Sequence, residues 1–322
     1  MHVVILGAGR GLQTAIRAVR PLAKRVTAVV PTSNDTGVDA LIRRLGPFPG
    51  AGTALQVIVH NGHDAAQLRV MQQVFAPLGT PFDGVPFVVF DTVAHAAANG
   101  GMPDALQRLR GVVHCDIDVL MVSDQVHDAW VAGESPARSS VYFATAHTAA
   151  VQGLTLEPPV TAHPAVLHAL KTADAVVIAP GALYTEVLPV LLPAGIGETL
   201  RSTKARVVCV AGLTTVAGQT DAFRAVDYVA RIARSLGRGA VDVALINTET
   251  YSSAEQAVLR QHGTAALRYE PGDHDILEAL GVAYLGRALR TVAPTGESRD
   301  AVALSTHDET ELRMSCMMAF KR

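Results

Sequence analysis

Short runs of apolar, often β-branched residues alternate with longer stretches of helical periodicity along most of the chain. Several runs are almost wholly apolar, which is typical of strands that helices cover on both faces. We predict strands at 3–6, 26–30, 55–59, 85–90, 175–179, 206–211, 241–246 and 282–285. We predict helices at 12–19, 64–75, 164–170, 221–236 and 252–261. Asp221 is the expected N-cap of the fourth helix and Gly237 its stop. The alternation predicts the α/β class, with a doubly wound, mostly parallel, Rossmann-like sheet.

The interval from about residue 112 to 159 departs from this pattern, because strand-like runs follow one another there without long helices. The runs lie at 118–122, 126–132, 141–144 and 151–156, and turn-rich pieces separate the first three. Antiparallel strands can follow each other through short turns in this way. We therefore predict a small antiparallel β-rich insertion in a single α/β domain that spans residues 1–322.

The composition indicates a globular protein with a full core, since 49% of the 322 residues are apolar and 17% are charged. The net charge of −2 gives no overall basic field, so neither nucleic acid nor a membrane is an expected partner. The three scattered cysteines fit a reducing compartment. The most apolar stretch, 173–196, contains acidic residues and prolines and cannot cross a bilayer as one helix. We expect a soluble, cytoplasmic protein.

A glycine-rich segment, Gly7-Ala8-Gly9-Arg10-Gly11-Leu12, follows the first predicted strand and opens a helix. Glycines at such a turn let backbone N–H groups approach a phosphate at the positive end of the helix. The dinucleotide fingerprint would need glycine in place of Leu12 and an acidic residue at the end of the second strand, which 29–32 lacks. No nicotinamide cofactor is therefore expected. A cradle for another phosphate or diphosphate is the favoured interpretation, and a tight turn without a ligand is the alternative.

A second polar loop, which contains Asn34, Asp35, Thr36 and Gly37, follows the second predicted strand. Ligands of open α/β sheets bind beyond the carboxyl ends of the strands, where this loop lies. The Asp35 carboxylate could hold a divalent cation that bridges phosphate oxygens, with Asn34 or Thr36 donating hydrogen bonds. An Asx-turn that caps the next helix would explain the same residues equally well.

Two further loops at predicted strand ends carry candidate ligand groups. In the segment 179–185, Tyr184 could stack on a base and Thr185 could bind a phosphate or cap a helix. The alternative is an ordinary strand-to-helix turn with Tyr184 packed in the interior. The loop 212–221 is longer than such connections usually need, which indicates a wall of a ligand cleft.

Taken together and in this order, these loops resemble the motifs of a known family. Residues 173–185 are similar to its pattern AD-x-I-x-x-GPGSLYTS, 188–196 to LPNLLVPGI and 214–221 to MTQPGETDGY. Residues 7–12 correspond to GGGTGL, 34–37 to DDGG and 307–309 to the start of HDPEK. The chain thus resembles the YvcK/CofD-like family over most of its length, more weakly between about 45 and 112.

The resemblance and the four loops together imply a set of ligand-binding residues. These are Gly7, Gly9, Arg10, Gly11, Leu12, Asn34, Asp35, Thr36, Gly37, Gly181, Leu183, Tyr184, Thr185, Thr214, Gln219 and Asp221. The YvcK branch, called gluconeogenesis factor, binds UDP-sugars, so the resemblance implies a cytosolic nucleotide-sugar-binding regulatory protein of carbon and cell-wall metabolism that can form a homodimer. Phosphates would then lie over the glycine-rich loop, with the nucleoside toward Tyr184 and the loop 212–221.

The CofD branch gives the alternative function. Its enzymes transfer a phospholactyl-type group from a guanosine diphosphate-linked donor to a deazaflavin precursor with Mg²⁺. Asp35 would then be the catalytic and metal-binding residue, holding Mg²⁺ on the diphosphate while an acceptor hydroxyl attacks phosphorus in line. A dehydrogenase on the same sheet is a third hypothesis, and it lacks an acidic residue for the ribose.

The chain departs from the family patterns at positions that bear on catalysis. Asn34 replaces the first aspartate of the DDGG element, and Arg10 replaces the threonine of the glycine-rich loop. Thr306 stands where YvcK-like chains often have arginine, and residues 49–52 lack the Asp and Arg of a PGDIR element. These changes argue against metal-dependent catalysis, and they leave Arg10 as a candidate phosphate ligand.

Overall fold

The computed structural model describes residues 1–33, 37–74, 83–132, 139–140, 151, 153–291 and 301–321. Within these ranges the chain forms ten strands: β1 (His2–Leu6), β2 (Arg25–Val30), β3 (Asp118–Met121), β4 (Asp128–Ala132), β5 (Ser139–Ser140), β6 (Gly153–Glu157), β7 (Ala175–Ile178), β8 (Arg206–Val210), β9 (Val243–Asn247) and β10 (Ala283–Arg287). Seven of them form one sheet in the order β10-β9-β8-β7-β1-β2-β3, and every neighbouring pair is parallel. The predicted α/β class and doubly wound sheet are confirmed.

Helices cover the sheet. Those described are α1 (Gly9–Val19), α2 (Gly37–Leu45), α3 (Gly52–His60), α4 (Ala65–Met71), α5 (Phe87–Ala98), α6 (Met102–Val112), α7 (Pro164–Thr172), α8 (Leu188–Leu191), α9 (Ile196–Ser202), α10 (Ala225–Leu236), α11 (Ser253–Gln261), α12 (Asp273–Leu280), α13 (Ala301–Leu304) and α14 (Glu309–Ala319), with a 3₁₀ turn at Arg20–Leu22 and a π-helical turn at Leu183–Val187. Among these, no helix is both long enough and apolar enough to cross a membrane.

The two faces of the sheet bury separate apolar layers, because successive side chains of a strand point to opposite faces. On β1, Val4 and Leu6 pack with α7 and α10 residues, whereas Val3 and Ile5 pack with α1 and α3 residues. The whole strand is therefore apolar, as the sequence predicts for strands that are covered on both sides.

The order of the strands reverses beside β1. From β1 the chain moves through β2 to β3, and it then returns to the other side of β1 with β7 and continues outward to β10. The register pairs Leu6 with Ile178, and the N–H of Ala179 donates to the Leu6 carbonyl at 2.9 Å. The loops that follow β1 and β7 consequently lie side by side, at the kind of switch point where doubly wound sheets bind ligands.

Three predicted strands differ from the structure in type or in the sheet to which they belong. The run 55–59 lies in helix α3, and residues 87–90 of the run 85–90 begin helix α5. A short apolar run has the same pattern in a buried strand and a buried helix. The run 118–122 contains β3, which extends the main parallel sheet beside β2 and does not belong to the antiparallel group.

The antiparallel group itself is present. Strand β4 lies between β5 and β6, and both of its pairings are antiparallel. The run 141–144 lies outside the described residues. At the fourth predicted helix, Gly237 does follow the last turn of α10, but the helix begins at Ala225 and Arg224 occupies the N-cap position in place of Asp221. The Asp227 carboxylate accepts a hydrogen bond from the Arg224 N–H, at 2.8 Å, and so closes that end of the helix.

Candidate functional site

A cleft of about 200 Å³ opens at the switch point, beyond the carboxyl ends of β1, β7 and β8. Its lining residues are Arg10, Gly11, Thr14, Pro180, Gly181, Ala182, Glu186, Gly212, Leu213, Thr214, Val216, Ser305, Thr306 and His307. They come from the start of α1, the loops after β7 and β8, and the segment that precedes α14. We call this the switch-point cleft.

Close contacts between two loops explain the glycines around the cleft. A Cβ atom on Gly11 would overlap the carbonyl oxygen of Pro180, and one on Gly9 would overlap the carboxylate of Glu186. Gly9 also has a φ of +62°, which side-chain-bearing residues rarely adopt. The glycine-rich loop is thus required by the close packing of the β1 and β7 loops, whatever ligand binds there.

The amino end of α1 faces this contact. Its N-cap residue, Ala8, provides no side-chain hydrogen bond, and its first turn contains no acidic residue. The first N–H groups of a helix lack partners within the helix and attract negative charge. Arg10, in the same turn, is exposed and lines the cleft. Within α1 itself, no side chain supplies the negative charge that this helix end favours.

Glu186 brings a carboxyl group to the same place. It lies in the π-helical turn after β7, and its Oε2 accepts a hydrogen bond from the Ala182 N–H at 2.8 Å. Burial raises the pKa of Glu186, while the Ala182 hydrogen bond and the charge of Arg10 oppose that shift. A carboxyl of this kind can change its protonation closer to neutral pH than an exposed glutamate.

His307 forms part of the opposite wall. Its Nε2 lies 3.1 Å from the carbonyl oxygen of Ala211; since a carbonyl only accepts, Nε2 carries the proton. Burial lowers the pKa of His307 to about 4, so the ring is neutral at physiological pH and its Nδ1 is an acceptor. Asp308 caps α14 through the N–H groups of Thr310 and Glu311, at 2.9 and 3.0 Å, which fixes the chain at His307.

The structure brings together part of the predicted site. Arg10, Gly11, Gly181 and Thr214 line the switch-point cleft. Gly7 and Gly9 lie in the same loop as Arg10, and Gly9 contacts the Glu186 carboxylate.

Other predicted residues do not reach the described cleft lining. Leu12 and Leu183 are fully buried in the core, Thr185 is half-buried in the π-helical turn, Gln219 is buried in its loop, and Asp221 is exposed. Tyr184 is also fully buried, and its hydroxyl donates to the Val151 carbonyl at 3.1 Å. Of the two interpretations offered for Tyr184, the structure shows interior packing; a ring enclosed in this way has no face for a base.

The second polar loop is outside the described residues, apart from its last member. Asn34, Asp35 and Thr36 are not described, and Gly37 begins α2. The catalytic and metal-binding roles of Asp35 thus stay predictions. Among the described residues, no group of three His, Cys, Asp or Glu side chains could hold a metal ion.

Glu186, Thr14 and Ser305 line the cleft although the sequence motifs did not predict them as site residues. Glu186 follows directly after the segment 179–185, and an acidic residue inside an otherwise apolar stretch was the available signal. Thr306 and His307 stand in a motif that the resemblance identified, but nothing in the sequence places that motif beside the β1 and β7 loops. Only the folded structure shows that this motif lies beside the β1 and β7 loops.

Comparison with known proteins identifies the relatives of this chain. A putative gluconeogenesis factor of Deinococcus radiodurans is 27% identical over 285 residues, which cover 86% of this chain and 60% of that protein. A putative gluconeogenesis factor of Clostridium acetobutylicum is 29% identical over 266 residues, covering 78% and 56% respectively. The chain therefore spans somewhat over half the length of these two relatives.

The fold and the family agree with the sequence motifs. The crystal structure of a UPF0052 family member from Bacillus halodurans superimposes with a TM-score of 0.87 at 22% identity, over 98% of both chains. At that identity the likeness establishes the fold. The family model described as 2-phospho-L-lactate transferase CofD matches residues 3–289. The chain belongs to the CofD family.

Proposed function

We propose that this protein is a nucleotide-sugar-binding regulatory protein that takes UDP-sugars, with the diphosphate in the switch-point cleft. The observation that carries the proposal is the uncapped amino end of α1, with Arg10 beside it, at the reversal of strand order. Backbone N–H groups and a guanidinium are the donors that phosphate oxygens prefer.

The rest of the lining supports a ligand that needs many hydrogen bonds. The hydroxyl side chains of Thr14, Thr214, Ser305 and Thr306 contribute to the walls, beside the neutral ring of His307. These groups can serve both phosphate and sugar oxygens. The cleft holds about 200 Å³, less than the roughly 300–1,000 Å³ that encloses most whole ligands. We therefore assign it to the diphosphate and the adjoining part of the sugar.

The names of the relatives support a regulatory function. Two relatives that match most of this chain are called putative gluconeogenesis factors, which describes an effect on metabolism and not a reaction. The family model carries the name of a transferase. We favour binding without turnover because Asn34 and Arg10 replace an aspartate and a threonine of the family motifs.

Thermal shift and titration calorimetry with UDP-, GDP- and ADP-sugars, each with and without Mg²⁺, test the proposal. We expect a UDP-sugar to raise the melting temperature without Mg²⁺, because a ligand at a hundred times its Kd adds about 2.7 kcal/mol. Arg10→Ala should weaken this binding about tenfold, the loss of one charged hydrogen bond. Arg44→Ala, an exposed position in α2, is the matched control.

The outcomes separate the hypotheses. No shift with any nucleotide sugar, or a shift that Arg10→Ala leaves unchanged, would contradict the proposed site. A shift that requires Mg²⁺ and a guanosine diphosphate-linked donor, with nucleotide release when a hydroxyl acceptor is added, would replace it with the transferase alternative.

A further inference from the structure

The Glu186 carboxylate occupies the position beside α1 where a phosphate is expected to bind. A Cβ on Gly9, the first residue of α1, would overlap its Oε1, and a Cβ on Gly181 would lie 2.6 Å from its Oε2. The carboxyl group is therefore in contact with both glycine loops. A carboxylate at the amino end of a helix satisfies the helix dipole in the same way as a bound anion does.

Among the described residues of the cleft, Glu186 is the group whose pKa shifts toward neutral pH, because burial raises it. Arg10, from α1, contributes a guanidinium group. Tyr228, from α10, donates its hydroxyl to the Gly181 carbonyl at 3.0 Å, and burial raises its pKa well above its usual value. His307 is neutral down to about pH 4. The described loop after β8 adds only apolar groups and hydroxyls to the cleft.

We infer that Glu186 is a specificity-determining residue, which takes up one proton when a phosphate group binds at the amino end of α1. Oε2 continues to accept the Ala182 N–H, so the proton goes onto Oε1, which then donates to a non-bridging phosphate oxygen. The proton comes from water, and no covalent bond to phosphorus forms or breaks. This inference rests on the proposed function, since it requires a phosphate-bearing ligand in the cleft.

The consequence is a preference for phosphates that carry one negative charge. Each phosphate in the diphosphate bridge of a nucleotide sugar carries a single charge, whereas a terminal phosphate has a second pKa of about 6 and is mostly doubly charged at pH 7.5. Where Glu186 is ionised, its negative charge repels a doubly charged phosphate more strongly than a singly charged one. The cleft should therefore prefer a UDP-sugar to UDP.

Titration calorimetry of the full chain with UDP-glucose and with UDP tests this inference. Each titration is run at pH 6.5 and pH 8, in two buffers of different ionisation enthalpy, so that proton uptake is measured directly. We expect the wild-type protein to take up as much as one proton at pH 8. Its affinity for UDP-glucose should fall toward tenfold per pH unit as the free carboxyl ionises. UDP should bind about tenfold more weakly or worse.

Two variants complete the experiment. Glu186→Gln keeps the shape and supplies a permanent donor, so proton uptake should disappear, the affinity should become independent of pH, and the ratio of UDP-glucose to UDP affinity should fall toward one. Glu198→Gln, an exposed position in α9, should behave like the wild type in all three respects.

The results distinguish this inference from the proposed function. Binding of UDP-glucose to the wild type without proton uptake would overturn the inference and leave the function intact, and that measurement needs no variant. Proton uptake that persists in Glu186→Gln, or a preference for UDP-glucose over UDP that persists in this variant, would overturn the inference as well. If neither nucleotide binds to either protein at either pH, the proposed function fails and the inference fails with it.

Discussion

Two cavities lie at the carboxyl edge of the same sheet, and they differ in whether the charged residues beside them are paired. The switch-point cleft holds about 200 Å³, and a second cavity beyond β9 holds about 440 Å³. We call the second one the Arg290 cavity, after the buried arginine that contacts three of its lining residues, Glu249, Thr250 and Tyr251. The Arg290 cavity is lined by Asn247, Thr248, Glu249, Thr250, Tyr251, Gln256, Ala266, Leu267, Arg268, Tyr269 and Glu270. An antiparallel bridge between Thr214 and Ala266 links the two walls.

A buried arginine beside the Arg290 cavity has its charge satisfied by neighbouring groups. The buried Arg290 guanidinium donates to Glu255 at 2.6 Å and to the Thr250 carbonyl at 2.9 Å, and it lies 4.5 Å from the centre of the Tyr251 ring. In the switch-point cleft, Arg10 is exposed and forms no ion pair with a described residue, and Glu186 accepts one backbone N–H. Arg290 thus acts as a structural group beside the larger cavity, whereas the smaller cavity keeps its charged groups available.

Arg290→Met should have the largest effect on stability and little effect on ligand binding. Removal of the guanidinium leaves Glu249 and Glu255 without their partner, so we expect a loss of about 3 kcal/mol in the free energy of unfolding. The affinity for UDP-sugars should change less than about twofold. Urea unfolding and calorimetry measure the two quantities, and Arg260→Met on the exposed side of α11 is the control. If Arg290→Met is stable but no longer binds UDP-sugars, the Arg290 cavity is part of the ligand-binding site.

His307 provides a pH-dependent test of the cleft wall. Its pKa is about 4 in the folded protein and 6.5 in the unfolded chain, so the unfolded state binds the proton first as the pH falls. Stability is therefore lost from about pH 6.5 down to pH 4. Between pH 7.5 and pH 4.5 this histidine alone should remove about 2.5 kcal/mol from the free energy of unfolding.

The variant His307→Gln isolates this contribution, because its amide can still donate to the Ala211 carbonyl and does not titrate. Its unfolding free energy should fall less than that of the wild type over the same pH range. The exposed His262, changed to Gln, should follow the wild type. Equal losses in His307→Gln and the wild type would mean that the ring is protonated or solvated in the folded protein.

Gly11→Ala tests the contact between the β1 and β7 loops. The added Cβ would overlap the Pro180 carbonyl oxygen, and overpacking against backbone typically costs about 1–3 kcal/mol. We expect a loss of about 2 kcal/mol and at least about tenfold weaker UDP-sugar binding, since α1 must move away from the cleft. Chemical unfolding and calorimetry report both.

A second glycine gives the matched control. Gly111, in α6, has open space where a Cβ would stand. Gly111→Ala should leave stability unchanged or raise it by up to about 1 kcal/mol, because alanine restricts the unfolded chain. If Gly11→Ala behaves like Gly111→Ala, the two loops are not held by backbone contact and the cleft is more open than its geometry indicates.

The sequence predicts the sheet well, and it predicts the cleft only in part. Strands such as β1 and β7 are recognisable because both faces are buried and the whole run is apolar. The runs 55–59 and 85–90 have the same apolar pattern, but 55–59 lies in helix α3 and 87–90 begins helix α5. A buried helix also presents apolar residues throughout, so the pattern alone does not distinguish it from a strand. Motif residues such as Arg10 and Thr214 are found from their place at strand ends, whereas Glu186 and Ser305 depend on contacts between distant parts of the chain.

Tyr184 is the residue for which sequence patterns left two interpretations open, and Tyr184→Phe should give the smallest effect. Its hydroxyl donates to the Val151 carbonyl, and burial raises its pKa. Loss of that hydrogen bond should lower the free energy of unfolding by about 1 kcal/mol and leave the UDP-sugar affinity unchanged. Tyr251→Phe, which removes the hydroxyl that donates to Leu304 at 2.9 Å, should lose a similar amount in the other cavity. If Tyr184→Phe instead weakens ligand binding severalfold while its stability holds, the Tyr184 side chain contributes to the site. The π-helical turn would then belong to the ligand cleft and not to the structural core.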